Sequence, residues 1–95
     1  MAAYIVATVR IRDADRFAAY GRAIAGLSEA HGGTAVVRGA VAEVLEGQSP
    51  VGERVVVTRF ADAGAARAYI ASAEYHAAKQ MREGAADVEM RLLID

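Results

Sequence analysis

The chain contains no cysteine, no tryptophan and no asparagine, and its one proline is Pro50. Without cysteine there is no disulfide, no thiol nucleophile and no thiolate ligand, and the redox compartment stays open. No stretch approaches the roughly 20 apolar residues needed to span a bilayer. Charge of either sign is not in excess: 11 Lys and Arg stand against 12 Asp and Glu, a net −1. That balance argues against a general binder of nucleic acid or of an anionic membrane. Met1-Ala2-Ala3-Tyr4 has no basic region, and Arg10, Arg12 and Asp13 interrupt the apolar run behind it. A secretion signal is therefore not expected, and the expected location is cytoplasmic.

What the chain has in quantity is alanine, 23 residues of 95, against two phenylalanines and four tyrosines. Alanine favours helix but fills little volume. Ninety-five residues make one domain, 1–95, whose buried fraction is modest at this size. A thin core of this kind calls for something to complete it.

The middle of the chain, 31–47, separates a strand and helix on its N-terminal side from a strand, helix and strand on its C-terminal side. In the N-terminal part, residues 3–12 alternate as a strand, with Ile5, Ala7, Val9 and Ile11 on one face and Tyr4, Val6, Thr8 and Arg10 on the other. Asp13 is a ready N-cap for a helix over 14–31, with Phe17, Tyr20, Ile24, Leu27 and His31 as its apolar stripe. Gly32 or Gly33 supplies the left-handed C-cap. Thr34, Val36 and Val37 then begin a hairpin over 34–46 that turns at Arg38-Gly39-Ala40 and returns through Val41, Val44 and Leu45. Gly47 to Gly52 reads as loop. Residues 53–60 are the strongest strand, and three consecutive valines predict a central position buried on both faces. Asp62 caps a helix over 63–71 that buries Ala65, Ala66, Tyr69 and Ile70. Ser72 interrupts it and caps a further helix over 73–83, with Tyr75, Ala78 and Met81 or Arg82 inward, ended by Gly84. Residues 87–94 form the last strand.

The resulting order, β-α-β-β-α-β with a broken second helix, is the ferredoxin-like α+β arrangement: an antiparallel sheet with helices on one face. The second face of the sheet still carries apolar groups. A second copy of the chain, related by a two-fold axis and packed sheet to sheet, is the economical cover. The expectation is a homodimer.

Several short motifs carry a resemblance. They are Ala-Tyr-Ile-Val at 3–6, Tyr20, His-Gly-Gly at 31–33, Val-Arg-Gly at 37–39, Val-Leu-Glu-Gly at 44–47, Glu-Arg-Val-Val-Val at 53–57 and Phe60. Ala-Ala-Arg-Ala-Tyr at 65–69 and Ser-Ala-Glu-Tyr at 72–75 complete the set. In order and spacing, end to end, the chain resembles domain-of-unknown-function family 1330, within the dimeric α+β-barrel group. Arg59 departs from the pattern, where an acidic residue is expected. The resemblance implies the fold and the dimer and no established activity. The same group holds cofactor-independent monooxygenases and haem-degrading enzymes, which are similar in fold only. Their sites tend to set asparagine and tryptophan beside a histidine, and this chain has neither.

No motif for phosphate binding or nucleophilic catalysis is present. His31 and His76 are not spaced as a metal pair, so no metal site is expected, and nothing in the sequence calls for a cofactor. The residues to watch are polar ones set among apolar ones. Arg38, if it faces inward, needs a carboxylate from Glu43 or Glu46, or an anionic ligand such as a carboxylate or enolate. His31 either caps its helix end or serves as an acid or base in a pocket. Tyr20 and Tyr75 either pack or line a pocket between sheet and helices. The ligand-binding candidates are thus Arg38, Tyr20, His31, Glu46 and Tyr75. Three functions fit: a small-molecule-binding homodimer, a cofactor-independent isomerase or monooxygenase on a small aromatic or carbonyl compound, and a structural or regulatory dimer without ligand. The first is preferred because no set of nucleophile, base and orienting group can be assembled from the spacing.

Overall fold

The computed structural model describes all 95 residues. Strand β1 (Ala3–Ile11) leads into α1 (Ala14–Ala23) and a single turn of helix, α2 (Leu27–Ala30). Strands β2 (Thr34–Ala40) and β3 (Arg54–Phe60) come next, then α3 (Ala63–Ala71), α4 (Ala73–Met81) and β4 (Ala86–Ile94). The four strands form one antiparallel sheet in the order β2-β3-β1-β4. This is the ferredoxin-like α+β fold, and β3 is a central strand as its valines suggest.

The caps behave as the sequence predicts. Asp13 accepts from the backbone N–H of Arg16, and Asp62 accepts from that of Ala65. Ser72 does two jobs at the helix break: its hydroxyl donates to the Tyr69 carbonyl and accepts from the Tyr75 N–H. Gly84, at φ 77°, ends the turn after α4.

Three expectations are corrected. The helix predicted over 14–31 is broken between Ile24 and Leu27, because Gly26 takes φ 77° and a left-handed residue cannot continue an α-helix. The hairpin predicted over 34–46 does not turn at Arg38-Gly39-Ala40. Those residues run straight through β2 and pair with Val56, Val55 and Arg54. The valine-rich β3 offers a longer ladder than 41–45 could. Only Val41 prolongs the pairing, donating to the Glu53 carbonyl and accepting from Gly52. The chain reverses farther on, around Pro50 and Gly52, whose φ is 89°. Ile11, placed on one apolar face with Ile5, Ala7 and Val9, is exposed at the strand end while those three are buried.

The pairing register defines the two faces of the sheet. Toward the helices lie three rows: Ala35, Thr58, Ile5 and Leu92; Arg38, Val56, Ala7 and Met90; Ala40, Arg54, Val9 and Val88. The core sits where this face meets α3 and α4, around Ile5, Phe60, Ala66, Tyr69 and Tyr75. Gly33 makes that packing possible, since a Cβ there would stand 2.8 Å from the Ser28 carbonyl oxygen and 2.9 Å from the Phe60 ring. The opposite face has no cover. It presents Val37, Val57, Val6 and Arg91 in one row and Gly39, Val55, Thr8 and Glu89 in the next. Accordingly β3 is only half-buried within one chain.

Candidate functional site

The helices do not cover the sheet evenly. Helix α3 packs on β1, β3 and β4, whereas α1 leans on α4 instead of on the strands. Beneath α1 there remains a cavity of about 430 Å³, within the range of small-molecule sites. Its floor is Ile5, Ala7, Val9, Val56, Val88 and Met90 from the sheet. Its roof is Phe17, Tyr20 and Ile24, and Tyr69, Arg82, Arg38, Arg54 and Glu29 also line it. The alanine-rich sequence explains the hole: Ala7 sits at its floor, where a larger side chain would fill it.

Arg82 is the unusual group. It caps the C-terminal end of α4 and is 8% exposed. Its Nη1 donates to the Tyr20 hydroxyl at 2.7 Å and to the Tyr75 hydroxyl at 2.9 Å. Its guanidinium carbon lies 4.9 Å from the Tyr20 ring centre, a cation–π distance. No carboxylate pairs with it: the ion pairs of the fold are Arg10 with Glu53 and Glu89, and Arg12 with Asp87. Nε and Nη2, the edge that matches both oxygens of a carboxylate, have no acceptor in the protein. A buried cation without a counter-ion is costly. Two phenol oxygens and two ring faces offset part of that cost, and an anion in the cavity would offset more.

Two of the phenols near Arg82, Tyr20 and Tyr69, have their pKa raised. Burial pushes the Tyr69 phenol up to about 12, and Tyr75 and Glu29 push the same way. Burial raises Tyr20 further, aided by Tyr75 and opposed by Arg82. A phenol whose folded pKa exceeds its unfolded value near 10 adds stability that is full below pH 10 and lost as pH rises toward 12. Unfolding measured from pH 9 to 12 is expected to show that loss, at about 1.4 kcal/mol per pH unit for each phenol. Tyr69→Phe removes one phenol and should flatten the slope by that amount; an unchanged slope would contradict the assignment.

The candidate residues divide. Tyr20 and Arg38 both line the cavity. Tyr75 stands behind the wall, buried, holding Arg82 and donating to the Met90 sulfur at 3.3 Å. His31 lies outside the lining: its Nδ1 is 3.1 Å from the Leu27 carbonyl oxygen and its ring is 5.9 Å from that of Tyr69. Glu46 is exposed in the long loop after β2, and neither it nor Glu43 pairs with Arg38. The internal salt bridge expected of Arg38 is absent. Sequence reasoning passes over Arg54, sets Glu29 off the inner stripe although it lines the cavity, and leaves the inner place on α4 open between Met81 and Arg82 without giving either a role. The available signal is an arginine at the spacing of Tyr75 and Ala78.

The sheet order, the helices confined to one face and the cavity beneath α1 define a ferredoxin-like α+β domain. The chain belongs to the family described as domain of unknown function DUF1330, whose model matches residues 2–94. Among solved structures it is similar to a protein of unknown function from Rhodopseudomonas palustris, at 24% identity and TM-score 0.80, over 97% of this chain and 80% of that one. It is also similar to a dimeric ferredoxin-like protein of unknown function from Jannaschia sp., at 16% identity and TM-score 0.76, over the full length of both. SnoaB, a cofactor-independent oxygenase from Streptomyces nogalater, matches at 14% identity and TM-score 0.68, over 99% of this chain and 92% of that one. No curated protein matches. No helix is long and apolar enough to cross a membrane, and no three His, Asp or Glu side chains cluster to hold a metal ion.

Proposed function

We propose that the protein is a homodimer that binds a small organic anion, a carboxylate or enolate with an apolar body, in the cavity between sheet and helices. The observation that carries this reading is Arg82: a buried guanidinium with a free bidentate edge and no carboxylate partner, beside a cavity of ligand size. Arg38 and Arg54 add positive charge to the lining against the single carboxylate of Glu29. Apolar walls with a few convergent polar groups suit an aromatic or aliphatic acid. The dimer is supported by the uncovered, valine-rich sheet face and by the dimeric state of the Jannaschia protein.

Binding is favoured over catalysis. The likeness to an oxygenase extends to the fold, neither histidine lines this cavity, and burial moves the phenols of Tyr20 and Tyr69 further from neutral pH. The test is thermal unfolding of the purified protein with benzoate, butyrate and hexanoate, each beside its amide. Millimolar acid is expected to raise the Tm in a concentration-dependent way, as binding to the folded state requires, and the neutral amide is not. No shift with any acid would overturn the reading.

A further inference from the structure

A second cleft of similar volume, about 430 Å³, opens on the other side of Ile5 and Met90. Its remaining walls are Ala66, Ile70 and Ala71 from α3 and its end and Leu92 from β4, with Arg67, His76 and Arg91 also in the lining. Ile5 and Met90 are common to the linings of both spaces. Ile5 is buried in the core and β-branched, so it is fixed. Met90 differs. It is half-buried, has three rotatable side-chain bonds, and is tethered by one weak bond, the Tyr75 hydroxyl donating to its sulfur at 3.3 Å. That same hydroxyl accepts from Arg82 at 2.9 Å. The guanidinium of Arg82 and the movable wall are thus one phenol apart.

We infer that Met90 is a movable partition between the two spaces, and that the ligand is a straight-chain carboxylate of medium length. The head sits on the Nε and Nη2 edge of Arg82, and the tail displaces the Met90 side chain and enters the apolar cleft beside Ile70 and Leu92. This rests on the anion-binding reading of the first cavity and extends it to a class of ligand. The two spaces are suited to the two ends: the first holds the buried Arg82 with its free edge, and the second has the larger apolar share of its lining. A tail leaving the first cavity past Met90 meets the apolar side chains of Ile70 and Leu92. Each methylene so buried strengthens binding about fourfold.

The experiment is calorimetric titration of the full-length protein with butyrate, hexanoate and octanoate, each below its micellar range. Affinity is expected to climb through octanoate, with octanoate at least thirtyfold tighter than butyrate. Met90→Ile keeps the volume but stiffens the wall. It should cut the octanoate-to-butyrate affinity ratio at least tenfold. Leu92→Trp is made at a partly exposed position, so it tolerates bulk, and it fills the second cleft from its far end. It should produce the same selective loss, which guards against a folding defect in the first variant. Butyrate binding with no gain at octanoate overturns this inference and leaves the first cavity as a short-acid site. An octanoate-to-butyrate ratio that neither variant alters overturns it too. Failure of every acid to bind overturns the anion-binding reading beneath it as well.

Discussion

Replacing Arg82 by methionine is expected to abolish carboxylate binding, by at least a hundredfold, while leaving unfolding stability within about 1 kcal/mol of the parent. The two halves of that result have one cause. Removing one partner of a buried ion pair normally costs about 3–5 kcal/mol because the other charge is stranded. Arg82 has no such partner, so nothing charged is left behind. What is lost is two hydrogen bonds to phenols and the contact with the Tyr20 ring. What is gained is relief from burying a guanidinium, and methionine fills most of the space. Arg82→Lys separates charge from geometry: it keeps the cation but not the fork, and binding should fall by an intermediate, roughly tenfold amount. Denaturant unfolding and calorimetry on the three proteins decide the matter. A loss of several kcal/mol in Arg82→Met would mean that the guanidinium holds the helices together and that its free edge is incidental.

That arginine also marks where the sequence stops being informative. Strands, helices and caps arise from local chemistry, and Asp13, Asp62, Ser72 and Gly84 act where their types and spacing suggest. The stripe Phe17, Tyr20, Ile24, Leu27 and His31 is the inward side of the first helical segment even though Gly26 breaks it, because a left-handed glycine bends the path without taking those residues off the inner side. Gly39 misleads for a physical reason. Glycine is permissive, not obligatory, in turns, and here it has no positive φ and sits in a ladder with Val55. Which segment pairs with β2 is a contest between 41–45 and 54–60, and register across a loop is not a local property.

The site is legible by residue type but not by partner. Arg38 and Tyr20 stand out as polar groups among apolar ones, and both reach the cavity. Tyr75 stands out for the same reason, yet it supports Arg82 from behind the wall. Arg82 itself lies 62 residues from Tyr20 in the chain, so their hydrogen bond belongs to the packing of α1 on α4 and to no motif. Glu46 looks like the natural counter-charge to Arg38 only while a short hairpin is assumed. Once β2 runs through to Ala40, the carboxylate is carried out into the loop.

Val57→Glu is expected to convert the proposed sheet-to-sheet dimer to a monomer. Val57 lies at the middle of the uncovered face, paired with Val6 on one side and Val37 on the other. The molecule is only 15 Å through its thinnest dimension, about one helix layer on one sheet, so this face has no second layer of its own. In a two-fold dimer a substitution there is present twice, and each carboxylate loses its water between Val37 and Val6; Arg91, the cation of that row, lies beyond Val6 and already donates to the Thr8 hydroxyl. At roughly 2–3 kcal/mol per buried unpaired group, the pair weakens association by about 10³-fold or more. Ala68→Glu, on the exposed side of α3, is the matched control and should leave the mass unchanged. The variant also reports on the cavity. Most of β2 is exposed within one chain, and Val36 and Val37 are about half exposed, so the strand that carries Arg38 is covered only when the second copy is in place. Hydrogen exchange in β2 is therefore expected to quicken in Val57→Glu while the amides of β1 stay protected. Sedimentation giving a monomer for the parent chain, or a dimer for the variant at micromolar concentration, would remove the sheet face from the interface and with it the reason for β2 to be ordered by a partner.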